Sequence, residues 1–161
     1  MGLFPPAPGG GENVSHGYKG KGVLIHLLTD GAGKPLAIIN TSASGNERLQ
    51  VKPLLEKAPL KLQTSMLVLE ADKGYDSASL RSQLLNMNVF PFIPYRKNSK
   101  KATPFKEKFL MKSKRWKVER SFAWLKRKCR RLLMKWERKF YIWTAFTVLG
   151  QIFMWLEYLL R

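Results

Sequence analysis

Met66-Leu67-Val68-Leu69-Glu70-Ala71-Asp72-Lys73-Gly74-Tyr75-Asp76 decides how the rest of the chain is read. Consecutive apolar residues of strand length give way to acids and then to a glycine turn. The pattern predicts a buried strand over residues 66–69 that ends at Glu70-Ala71-Asp72. Asp76 or Ser77 then caps a helix running to about Met87, with Leu80, Leu84 and Leu85 facing inward. Residues 89–94 read as a further strand, which Pro91 and Pro94 confine to a sheet edge or a strand end. Strand, helix and strand in this order point to a mixed α/β fold. In open α/β sheets, ligands and metals gather at the carboxyl ends of strands, and Asp72 stands at such an end.

Toward the N-terminus, residues 23–29 are an apolar run of strand length. Asp30-Gly31-Ala32-Gly33-Lys34-Pro35 supplies turn chemistry, and residues 36–41 resume as a strand, so a hairpin is predicted. Residues 1–22, rich in Gly and Pro, are expected to be a loop. Their Gly20-Lys21-Gly22 lacks the Ser or Thr that a phosphate loop needs after its lysine. Residues 46–57 carry helix formers, with Leu49, Leu54 and Leu55 as candidate core positions and Pro53 keeping the helix short or kinked. A hairpin this near the N-terminus leaves room for a partner strand that the chain does not contain.

Toward the C-terminus, residues 96–114 form a basic loop, and an amphipathic helix is expected from about Ser113 to Arg138. Its stripe is Val118, Phe122, Leu125, Cys129 and Leu132, spaced four, three, four and three. Residues 140–161 approach the ~20 apolar residues of a membrane span. Gln151 and Glu157 interrupt them, and they are expected to pack as a buried helix on the same domain. The plan is therefore a loop over 1–22, one α/β domain over 23–139 and an apolar helix over 140–161.

Twenty-nine Lys and Arg against eleven Asp and Glu leave a formal net charge of +18 on 161 residues. Such a field attracts polyanions, nucleic acid first and an anionic membrane surface second. Cys129, the single cysteine, excludes an intrachain disulfide and a multi-cysteine zinc site, and it fits a reducing cytoplasm. The N-terminal stretch has no apolar run of the secretory kind, and Pro6 stands where a myristoylation site needs Ser or Thr.

Glu119 is the only acid among the cations between Lys108 and Trp136. At the edge of an apolar stripe, it either points into a cleft or pairs with Arg115 or Arg120. Arg115, Glu119 and Lys126 lie at i−4, i and i+7 and so share one helical face. A carboxylate flanked by two cations suits a metal site that also holds a phosphodiester. Lys126-Arg127-Lys128 and Arg130-Arg131 add phosphate contacts, while Trp116 and Trp124 either stack on bases or pack in the core.

Taken in order, Asp72-Lys73-Gly74-Tyr75-Asp76, then Ile93-Pro94, then Arg115-Trp116-Lys117-Val118-Glu119-Arg120-Ser121-Phe122-Ala123-Trp124-Leu125 resemble the DDE transposases of bacterial insertion sequences. Gly17-Tyr18-Lys19-Gly20-Lys21-Gly22 and Leu27-Leu28-Thr29-Asp30-Gly31 resemble the same group. The family pattern Tyr-x2-Arg-x3-Glu-x6-Lys is met at Arg115, Glu119 and Lys126, with Lys112 at the tyrosine position. The resemblance, over about residues 2–140, implies an α/β, RNase H-like mixed sheet with flanking helices. It implies Asp72 and Glu119 as the second and third catalytic, metal-holding carboxylates. Two Mg²⁺ (or Mn²⁺) ions would activate water or a 3′-hydroxyl for attack on a phosphodiester.

By the same resemblance the partner is DNA, element ends and target, met by Arg115, Arg120, Lys126, Arg127, Arg130 and Arg131. The location implied is the bacterial cytoplasm, at the nucleoid. The first Asp of such proteins lies on the first strand, ahead of a Gly and an aromatic. Here Met1-Gly2-Leu3-Phe4 puts Met1 in its place, so the first strand is expected outside this chain. A missing N-terminal half, or a homodimer on DNA, would then be a partner. Asp30 is the nearby substitute as a metal ligand, although an Asp-Gly turn already explains it. The expected function is transposition chemistry that this chain does not complete alone. The alternative is a basic nucleic-acid-binding protein without catalysis, and a membrane-surface protein is a third reading.

Overall fold

The spine of the molecule is a ten-residue strand, Gly20–Thr29, with Val23, Leu24, Ile25, His26 and Leu27 all buried. It belongs to a computed structural model that describes residues 2–59, 66–96 and 116–160. This strand, β3, follows β1 (Gly2–Leu3) and β2 (Ser15–Gly17) and precedes β4 (Pro35–Ser42). Along one edge it pairs antiparallel with β4, from Val23 opposite Ser42 to Thr29 opposite Pro35, which is the predicted hairpin. β2 extends that pairing at Gly20, Lys21 and Gly22. The opposite edge takes β1, with Gly2 facing His26 and Leu3 facing Ile25.

The hairpin turn is built by Asp30 and Gly33. One carboxylate oxygen of Asp30 accepts the backbone N–H groups of Ala32 and Lys34, each at 2.8 Å. Gly33 holds φ at +91°, a conformation that favours glycine. Residues 1–22, expected as a loop, instead contribute β1, β2 and the start of β3. The glycines permit this. A Cβ on Gly22 would lie 2.5 Å from the Pro5 carbonyl, so only glycine lets residues 5–6 lie against the strand there. Pro6 makes a single bridge to Gly22 at the sheet edge, where a missing N–H is tolerated, and Pro8 lies in a turn.

A second unit follows. A 3-10 turn (Glu47–Gln50) leads into α1 (Val51–Lys57), which accommodates Pro53 within its first turn. Leu54 and Leu55 are buried as expected, but Leu49 is 68% exposed because it lies in the tighter 3-10 turn before the helix. β5 (Leu67–Glu70), α2 (Ala78–Asn86) and β6 (Val89–Phe92) form a β-α-β unit with parallel strands, the geometry that a helical crossover allows. Leu80 and Leu84 pack inward, whereas Leu85, one position further round the helix, is exposed rather than core. Among the described residues β6 pairs only with β5, so Pro91 does sit in an edge strand. β5 is less buried than its apolar run suggests. Leu67 and Leu69 pack against the α2 cluster, but Val68 is 65% exposed. No second strand covers it among the described residues.

The basic helix is shorter than its periodicity predicts. Among the described residues α3 spans Trp116–Lys128, Cys129 leaves helical geometry, and a 3-10 turn (Arg130–Leu133) follows. Arg115 and the basic loop lie outside the described residues. The apolar stripe survives the break. Phe122, Leu125 and Leu132 are buried against Val23, Ile25 and Leu27 of β3, with Val118 and Cys129 packed beside them. The last helix, α4 (Phe140–Leu159), is long and apolar enough to cross a bilayer. It buries one stripe, Trp143, Thr147, Gly150 and Met154, rather than its whole circumference. Asn40 Nδ2 donates to Thr147 Oγ1 at 2.8 Å, and Trp155 Nε1 donates to the Pro35 carbonyl at 2.7 Å, which ties the helix to β4.

Two stability predictions follow from this core. Leu125, fully buried between β3 and α4, should cost about 2–5 kcal/mol when truncated to Ala, read as a lower urea midpoint. His26 is buried with Nε2 2.8 Å from Thr41 Oγ1, and burial pulls its pKa from 6.5 to about 4. Below pH 6.5 the unfolded chain takes up a proton that the folded chain refuses until about pH 4. His26 therefore costs nothing above pH 6.5, and its destabilisation grows to roughly 3 kcal/mol as pH falls through 4. Thermal melts of His26→Gln should decline less steeply across that window than those of the parent, and equal slopes would contradict the assignment.

Candidate functional site

Between the last residues of β3 and the strand β5 lies a cleft of about 630 Å³. β3 contributes Leu27, Leu28 and Thr29 to its walls, and β5 contributes Leu67, Val68 and Leu69. Asp30, Glu47, Glu70 and Asp72 are its acids, and Lys117 and Val118 reach it from α3. Asp72 is half-buried where β5 ends and a short 3-10 turn (Lys73–Tyr75) begins. The turn is braced from two sides, since Arg48 Nε and Arg96 both donate to the Gly74 carbonyl, at 2.9 and 3.3 Å. Tyr75 is buried and donates its hydroxyl to Glu47 Oε2 at 2.7 Å. Burial, and then the Glu47 carboxylate, push the Tyr75 hydroxyl far above its ordinary range, so it stays a neutral donor.

Asp76, four residues on, has a different task. Its carboxylate accepts Arg81 Nε at 3.1 Å and the Arg96 backbone N–H at 2.9 Å, with Arg81 also lying over the Tyr95 ring. It joins α2 to the chain leaving β6, and Ser77 rather than Asp76 occupies the N-cap position.

The start of α3 is locked to the hairpin turn. Lys117 Nζ donates to the Gly31 carbonyl, Arg120 to that of Ala32 at 3.0 Å and Ser121 Oγ to that of Gly33 at 2.7 Å. Three successive carbonyls are thereby taken by one face of the helix. Glu119 lies in the same turn but is exposed and is not part of the cleft lining. Of the expected DNA contacts, Lys126, Arg127 and Arg130 are exposed. Arg120 is committed to the turn and lies 4.8 Å over Trp116, and Arg131 bonds Glu137 through Nε at 2.7 Å. Arg115 lies outside the described residues. Trp124 packs beside the core and donates to Glu157 at 2.8 Å, while Trp116 is exposed.

The structure thus brings Asp72 and Asp30 to one cleft and leaves Glu119 outside it. Asp30 has one oxygen engaged by turn amides, the structural role that an Asp-Gly pair suggests. Glu47 escaped the sequence reading. It stands at the start of a short helical segment and carries no motif, yet it bonds Tyr75 and faces His26 electrostatically. In kind, these carboxylate oxygens suit Mg²⁺. In number they fall short, because no three His, Cys, Asp or Glu side chains come together to hold a metal among the described residues.

The profile of the transposase DDE domain matches residues 5–149. The chain is also 36% identical over 132 residues to a protein of Burkholderia cepacia named as a transposase for insertion sequence element IS402. The match covers 78% of this chain and 58% of that relative, so the chain spans little more than half its length. No solved structure matches significantly. With the profile matching residues 5–149 and the relative 36% identical over 78% of the chain, the chain belongs to the insertion-sequence DDE transposases.

Proposed function

We propose that this chain grips DNA through the exposed cations of α3 and the turn after it. We further propose that Asp72 and Glu119 are two of the carboxylates used in the metal-dependent cutting and joining of phosphodiesters. The observation that carries this reading is the placement of Asp72, at the carboxyl end of β5 in a cleft that α3 borders with Lys117. Beyond it the same helix runs on into Lys126 and Arg127. With a metal bound, Asp72 would supply one of its oxygen ligands, and the cations of α3 would bind backbone phosphates. The fold read this way is RNase H-like.

DNA retention should weaken at least about a hundredfold between roughly 50 and 200 mM salt, because each neutralised phosphate releases a counterion. Replacing Lys126 and Arg127 together by Ala should lower the slope of log affinity against log salt by about two. A slope that does not move would remove these residues from the contact surface. The competing reading, a DNA binder that uses no metal, separates at the acids. Asp72→Asn and Glu119→Gln should each diminish Mn²⁺ uptake, followed by water-proton relaxation, and leave DNA retention equal or slightly tighter. Parent protein that takes up no Mn²⁺ with DNA bound would favour the binder.

A further inference from the structure

We propose that Glu47 is a positioning residue for Asp72 and acts on it through Tyr75. The inference rests on the reading of Asp72 as a metal ligand and names what holds that carboxylate in place. Asp72 occupies the N-cap position of the Lys73–Tyr75 turn. An aspartate there ordinarily bends its carboxylate back to accept amide N–H groups of its own turn. Asp72 makes no such bond. The Tyr75 backbone N–H donates to the Asp72 carbonyl at 2.9 Å, which ties the two residues together.

Bonds from another segment supply what the cap omits. The Tyr75 hydroxyl donates to Glu47 Oε2 at 2.7 Å, and Arg48 Nε donates to the Gly74 carbonyl at 2.9 Å. Glu47 and Arg48 are neighbours in one 3-10 turn, itself capped by Asn46, whose side-chain oxygen accepts the Arg48 N–H at 3.1 Å. Two bonds from adjacent residues fix both where the Asp72 turn lies and how it is rotated. The Asp72 carboxylate takes no part in holding its own turn and lines the cleft. Tyr75 is buried and neutral, because burial and then the Glu47 carboxylate keep its proton on. A neutral donor anchors Glu47 without bringing a positive charge beside Asp72, so the cleft keeps the negative charge that suits a divalent cation. Glu47 also reaches the other wall. Its carboxylate lies 3.5 Å from where a Cβ on Gly2 would be, and Gly2 pairs with His26 of β3. One side chain thus bonds the turn after β5 and abuts the β1–β3 edge, which spaces the two walls between which Asp72 stands.

The test titrates Mn²⁺ into the full chain with duplex DNA present and follows uptake by water-proton relaxation. Tyr75→Phe and Glu47→Ala should each weaken Mn²⁺ affinity about tenfold or more, the usual effect of removing a group that orients a metal ligand. Glu47→Gln, which keeps an oxygen to accept the Tyr75 hydroxyl, should bind close to the parent. Leu125→Ala is the control for stability alone. It lowers the melting temperature from the core and should leave Mn²⁺ affinity where it was. Parent-like affinity in both Tyr75→Phe and Glu47→Ala would overturn the proposal. So would a loss in Leu125→Ala as large as theirs, which means that only stability was being read. A loss in Glu47→Gln as deep as in Glu47→Ala would also overturn it, because the charge of Glu47 rather than its bond to Tyr75 would then be acting on the metal. Asp72→Asn, run alongside, separates the two ideas. If it takes up Mn²⁺ like the parent, the reading of Asp72 fails and this inference with it. If it loses uptake while Tyr75→Phe and Glu47→Ala do not, this inference alone fails.

Discussion

Hydrogen bonding along β3 is the constraint from which the rest of the structure follows. A buried strand must satisfy backbone groups on two edges, and β3 satisfies one edge along its length through β4 and β2. Its other edge is paired near Ile25 and His26 and then opens onto the cleft. The helices arrange themselves around this asymmetry. α3 and α4 cover the face that carries Val23, Ile25 and Leu27, and the β5-α2-β6 unit stands across the opening with Asp72 at its near end. The apolar cleft and the acids at its rim thus lie along an edge of β3 that no strand covers among the described residues.

The hairpin turn carries the second coupling. Bonds from Lys117, Arg120 and Ser121 to successive carbonyls fix the rotation of α3 about its own axis. Once Ser121 faces Gly33, the heptad-like spacing places Phe122 and Leu125 in the core and sends Glu119 and Lys126 outward. The orientation of the basic face is therefore decided by a glycine turn on another part of the sheet. A side chain at Gly33 would meet Ser121 Oγ and the Lys117 carbonyl at 3.4 Å, besides straining the backbone at its positive φ.

Local patterns told the elements apart well where periodicity was strong. The hairpin, α2, the edge strand with Pro91 and the stripe through Phe122, Leu125 and Leu132 were all legible. Glycine and proline misled at residues 1–22, because their meaning there is close approach of chain to sheet, which spacing does not reveal. Leu49 and Leu85 were misplaced for a related reason, since a 3-10 turn and one step round a helix each turn a leucine outward. Val68 reads as core in any window of sequence, and its exposure depends on what stands beside β5. The position of Asp72 at the carboxyl end of β5 was legible because strand ends announce themselves. Glu47 was not, because its importance comes only from meeting Tyr75 across the fold.

The outer surface of α4 has a consequence for handling the protein. Leu149, Ile152, Phe153, Leu156, Leu159 and Leu160 form an exposed apolar strip, while the chain carries a net charge of +18. Mutual repulsion keeps such strips apart in dilute buffer, and added salt shortens its reach to about 8 Å near physiological strength. The ionic conditions that would release DNA from the basic face, were it bound there as proposed, therefore also remove the colloidal barrier between apolar strips. If DNA is bound as proposed, it would act as a solubiliser for this chain, and its removal would bring self-association closer.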